Sequence, residues 1–110
     1  MNIQEFIEDL KLSIVVRRES KSRFTTIYKG TNELDSYSMF EQFVLYCSFD
    51  ELSSSIGEKL PRVWIQGNTV CCADKKDEEL ILIFFENVGE KQNITLKLEE
   101  IKNKIALLQF

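Results

Sequence analysis

Residues 80–85, LILIFF, stand between Glu79 and Glu86 without a polar interruption. A strand with one wet face alternates apolar and polar positions. An unbroken apolar run of strand length instead predicts a central strand covered on both faces. A chain with such a strand must supply neighbours on either side of it, so the remaining segments are read for what they bring to a sheet.

Upstream, PRVWIQ, a Gly67-Asn68 turn and TVCCA read as two further strands, and a charged turn over residues 74–79 leads into the apolar run. These three strands form a meander. An earlier hairpin is predicted from KLSIVVRRES and SRFTTIYKG, two β-branched runs joined through the polar residues 19–22. Helical spacing appears at three places. Ile3, Phe6, Ile7 and Leu10 mark residues 2–11. Met39, Phe40, Phe43, Val44 and Cys47 share one face behind a Ser38–Glu41 capping-box spacing, with a strand over residues 42–49 as the competing reading. A short helix then follows with Asp50 as its N-cap, Gly57 past its end and Pro61 as a stop. At the C-terminal side Ile94, Leu96 and Leu98 alternate, while Leu98, Ile101, Ile105 and Leu108 step by three and four. This predicts an extended lead-in running into a closing helix. The segment GTNELDS is a loop. The expected fold is α+β: one domain over residues 1–110, an antiparallel sheet with N-terminal, middle and C-terminal helices packed on one face.

With 110 residues and eight phenylalanines the chain can bury a core unaided. The N-terminus lacks the basic and apolar regions of a secretory signal, and no apolar run approaches the roughly 18–20 residues that span a bilayer. The expectation is a cytoplasmic protein without a membrane partner.

Chemistry is narrowed by composition. The sequence holds no histidine, which removes the usual general base at neutral pH and the Ser–His and Cys–His nucleophiles. Its glycines form neither a P-loop nor GxGxxG. Cys47, Cys71 and Cys72 are too few and too irregular for a disulfide framework. Adjacent strand residues point to opposite faces, so Cys71 and Cys72 converge poorly on one metal ion. No enzyme, cofactor or metal is expected.

Charge leaves two candidate surfaces. The net charge is −4, yet residues 11–30 carry six bases against Glu19 alone. Within that stretch Arg17, Arg18, Lys21 and Arg23 would meet phosphate if the hairpin bound nucleic acid, the less favoured reading because the surrounding field is negative. The acidic residues Asp74, Asp77, Glu78 and Glu79 are the preferred docking surface for a protein partner, itself basic and nucleic-acid-binding. A lone strand tryptophan such as Trp64 is read as core first, with an interface as the alternative, and the apolar C-terminal residues Leu107, Leu108 and Phe110 are candidates for contact between subunits; the chain is expected to be a monomer or a homodimer.

The opening MNIQEFIEDLK resembles the first helix of small acidic phage anti-CRISPR proteins of the type II-A inhibitor class. The likeness lies in Met1, Asn2 and Ile3, the apolar positions Phe6, Ile7 and Leu10, and Lys11. The resemblance implies a non-catalytic inhibitor that occupies a basic groove of a nucleic-acid-handling host defence enzyme by shape and negative potential. The alternatives are a toxin-neutralising immunity protein and a nucleic-acid-binding accessory protein working through the basic hairpin.

Overall fold

A computed structural model describes residues 1–19, 24–31, 34, 37–56, 62–87 and 92–110. Among the described residues five strands form one antiparallel sheet in the order β2-β1-β5-β4-β3. The strands are β1 (Ile14–Arg18), β2 (Thr25–Lys29), β3 (Arg62–Gln66), β4 (Thr69–Lys76) and β5 (Glu79–Glu86). The central place of β5 follows from its sequence: all of residues 80–85 are fully buried. Its even and odd positions face different layers. Ile81, Ile83 and Phe85 join Val15, Val70 and Cys72 beneath α1 (Ile3–Leu10) and α4 (Gln92–Ile105). Leu80, Leu82 and Phe84 join Ile14, Val16, Cys71 and Ala73 beneath α2 (Tyr37–Glu41), the π-helical segment Gln42–Tyr46 and α3 (Phe49–Ser55).

The helices therefore flank the sheet on both faces, where the pattern of stripes predicts one. Two-sided burial of an apolar central strand requires a second layer, and the middle helices supply it. Cys71 and Cys72 lie in different layers, as period-2 geometry dictates.

Local signals decide the element ends. Asn2 caps α1, its Oδ1 accepting from the Glu5 amide at 2.8 Å. Lys11 ends that helix in the left-handed region at φ 54°, so that its own amide reaches the Glu8 carbonyl and the Leu12 amide reaches that of Ile7. Ser38 is not a cap, because the helix already includes Tyr37. The capping box sits instead at Ser48 and Glu51, two residues before an Asp50 cap would place the helix start. Residues 94–98 are helical rather than extended. Ile94, Leu98, Ile101 and Ile105 keep one stripe toward the core while Leu96 is exposed. In the meander, β4 runs on through Asp74 to Lys76 and the charged turn narrows to Asp77 and Glu78. Gly57 and Pro61 lie outside the described residues, as do Asn32, Glu33, Asp35 and Ser36 of the predicted loop.

Candidate functional site: an open sheet edge beside a π-helix

Among the described residues strand β3 pairs only with β4 and forms one border of the sheet. The two-residue turn Gly67-Asn68 joins Gln66 to its partner Thr69, with Gly67 at φ +61° supplying the left-handed corner. A two-residue hairpin makes the residues flanking the turn a hydrogen-bonded pair, and such pairs alternate along antiparallel strands. Gln66, Trp64 and Arg62 thus spend their main-chain groups on β4. Val63 and Ile65 direct theirs outward, along a border that carries no partner strand among the described residues. Ile65 is also 58% exposed. Such a border is a template for another strand unless charge or a covering element blunts it.

Beside this border lies an apolar surface. Trp64 points to the face opposite Val63 and Ile65 and packs on Phe43, ring centroids 4.5 Å apart, with the Arg62 guanidinium 5.6 Å over its ring. It is half-buried between core and solvent. Phe43 belongs to the π-helical segment, whose last two residues, Leu45 and Tyr46, are 62% and 77% exposed. The Cys47 amide bonds to the carbonyl of Gln42 at 2.9 Å, five residues back. Arg18 reaches across from β1 and donates through Nη1 to the carbonyls of Phe43 (3.4 Å) and Cys47 (3.0 Å). Burial pulls the Arg18 guanidinium below its ordinary value.

The predicted basic cluster is divided by the sheet. Arg17 faces the α1–α4 layer, bidentate to Glu79 (Nε–Oε2 2.8 Å, Nη2–Oε1 2.7 Å), 2.9 Å from Glu19 and 4.4 Å over the Phe110 ring. Arg18 faces the π-helical layer. Lys21 and Arg23 lie outside the described residues. The predicted acidic cluster is divided too. Asp77, at φ 57°, and Glu78 are exposed at the turn. Asp74 is half-buried and accepts from the Lys75 amide. Glu79 is held below its ordinary value, chiefly by the hydrogen bond from Arg17. Of the C-terminal trio, Leu108 is buried in the α1–α4 core, while Leu107 and Phe110 are exposed. Sequence reasoning misses the Leu45–Tyr46 surface, since period-3.6 counting assigns no π turn; the polar Ser48 shortly after the segment is the available signal.

Among the described residues no group of three or more His, Cys, Asp or Glu side chains is gathered to hold a metal ion. Burial pushes the Cys72 thiol up to about 12 and raises Cys71 as well, so both remain protonated in the sheet. No helix among the described residues is long and apolar enough to cross a membrane.

No protein-family model and no curated sequence matches the chain. Solved structures share its fold. MglB of Myxococcus xanthus is similar with a TM-score of 0.51 at 9% identity, over 94% of this chain and 87% of that one. The gliding protein MglB of Thermus thermophilus is similar with a TM-score of 0.54 at 11% identity, over 96% of this chain and 83% of that one. This whole-chain likeness overturns the expectation of a phage anti-CRISPR-like inhibitor of a nucleic-acid-handling enzyme, together with its immunity-protein and nucleic-acid-accessory variants. The resemblance rested on one capped amphipathic helix, a pattern that any helix packed on a sheet reproduces.

Proposed function

We propose that the protein is a non-catalytic, regulatory binding module that pairs with a second copy of itself through β3 and the adjoining π-helical surface. The resulting two-fold assembly is the form that a further protein partner meets. The open border of β3 carries this reading. An antiparallel pairing centred on Trp64 sets Val63 opposite the second copy's Ile65, and those are the residues whose main-chain groups point outward. It sets Arg62 opposite Gln66, so no like charges meet. Leu45 and Tyr46 add exposed apolar surface on the segment whose Phe43 packs against Trp64 of β3. The opposite border, β2, is flanked by a groove that mixes Ile3, Ile7 and Ile27 with the polar side chains Gln4 and Glu8 of α1 and Lys11 at its end, and is the less suited of the two. The shared shape with MglB supports a binding role. Three free thiols, two of them buried, suit a reducing cytoplasm.

Sedimentation velocity over a wide concentration range tests the proposal. The wild type is expected to form dimers with little salt dependence, because the surface is apolar. Ile65→Lys, placed at an exposed position, should leave the far-UV spectrum intact and return the protein to monomers. A wild type that stays monomeric at every concentration, or an Ile65→Lys variant that dimerises as well as the wild type, refutes the pairing.

A further inference from the structure

The π-helical segment is held open by a side chain from another element. In an α-helix the Cys47 amide would bond to the carbonyl of Phe43, four residues back. Here it bonds to Gln42, and the Phe43 carbonyl is taken by Arg18. The next amide in the chain does not compete for it either: Ser48 N–H turns to the Glu51 carboxylate at 3.4 Å as part of the α3 capping box. The same Arg18 nitrogen also donates to the Cys47 carbonyl just past the segment, so one group holds both ends of its last turn. The bond to Cys47 at 3.0 Å is the closer of the two and seats the guanidinium, which at 3.4 Å occupies the Phe43 carbonyl that an amide could otherwise claim.

We infer that Arg18 is a positioning residue that keeps residues 42–46 in the π form and thereby sets the orientation of Leu45 and Tyr46. Single π turns inside helices are uncommon and cluster at functional sites, because the inserted residue redirects the side chains that follow. Tightening the turn to α geometry would return the Phe43 carbonyl to Cys47 and rotate Leu45 and Tyr46 relative to Phe43, which is anchored on Trp64. The position of Arg18 on β1, an inner strand, fixes this clasp to the rigid part of the sheet. The consequence for pairing rests on the function proposed above; the clasp itself does not.

Two built-in reporters read the clasp without reference to pairing. Trp64 is the sole tryptophan of the chain and touches Phe43, so its emission follows the segment. Cys47 is the one cysteine that is not buried, so its labelling rate by a maleimide follows the end of the turn. Arg18→Met keeps the apolar stem and removes the donors. It is expected to shift Trp64 emission and change the Cys47 labelling rate several-fold, with cooperative unfolding retained. Self-association should weaken as well, because Leu45 and Tyr46 are redirected. Arg18→Lys, with one cationic donor restored, should recover part of each change. A folded Arg18→Met with wild-type emission and labelling overturns the clasp. If Arg18→Met does not fold, Arg18→Lys decides the matter: wild-type values of both reporters overturn the inference, and intermediate values support it. A wild type that never self-associates refutes the pairing alone, since the two reporters still judge Arg18.

Discussion

At the scale of single residues, two backbone positions define how the chain passes from α1 to the sheet. Lys11 holds a left-handed conformation at φ 54° so that its amide and that of Leu12 can satisfy the last carbonyls of α1, with Leu12 and Ile7 meeting in the core. Glycine is the residue that adopts this geometry without a Cβ penalty. Lys11→Gly is therefore expected to stabilise the protein by about 1 kcal/mol, raising Tm by about 4 °C in a thermal melt. An unchanged or lowered Tm would place the cost of the left-handed turn elsewhere. Gly30 shows the opposite constraint. Its amide bonds to Ser13 at 2.8 Å, and a Cβ there would overlap the Leu12 carbonyl oxygen and come within 2.8 Å of Ile7 Cγ2. Backbone cannot yield as a flexible side chain can, so Gly30→Ala should cost about 1–3 kcal/mol in a urea titration. The backbone at Gly30 is not left-handed, so alanine would recover about 0.4–1 kcal/mol by restricting the unfolded chain, which offsets the clash only in part.

Between elements, the Arg17–Glu79 pair ties β1 to β5 where two further contacts converge, Glu19 and the Phe110 ring. The Glu79 carboxyl lies below its ordinary value of 4.5, first because Arg17 donates to it. A depressed carboxyl contributes stability that is fully present above the unfolded value and is lost as the pH falls through the folded one. Urea midpoints should accordingly drop for the wild type as the pH passes below 4.5, and Glu79→Gln should flatten that limb while starting lower at neutral pH. Parallel acid limbs in the two proteins would assign the loss to other carboxylates. Much at this scale is legible in the sequence. The α1 stripe, the β1–β2 hairpin, the Gly67-Asn68 turn and the central place of residues 80–85 follow from periodicity and turn chemistry. What failed did so for local reasons. The S-x-x-E spacing occurs at Ser38 and again at Ser48, and only the second has a free helix start to cap. Leu96 extends a false alternation because its exposure cannot be seen in the sequence. Arg17 and Arg18 look like one basic site because adjacency in sequence hides that neighbours on a strand face opposite layers. The Leu45–Tyr46 surface depends on a hydrogen bond between Arg18 and Phe43, residues from separate elements, which no local pattern encodes.

For the molecule as a whole, β5 makes two cores into one folding unit. Ile83 lies beneath α1 and α4, and Phe84 beneath the π-helical segment, yet they are adjacent in one strand that pairs with both β1 and β4. Loss of packing on either face loosens the strand that the other face needs, so neither layer has a stable state of its own. Trp64 sits in the Phe84 layer and reports on it alone, whereas far-UV circular dichroism reports on all helices and strands. Ile83→Val and Phe84→Leu remove little enough volume, about 1 kcal/mol each, to leave the protein folded. Each is expected to move the urea midpoints by fluorescence and by circular dichroism together, at one protein concentration. The informative case is Ile83→Val, whose altered side chain lies on the far face from the reporter. A circular-dichroism midpoint that falls while Trp64 holds its wild-type transition would show two separately melting layers. Coincident curves would mean that a partner bound at the β3 border stabilises α1 and α4 on the opposite face, by mass action through the shared strand.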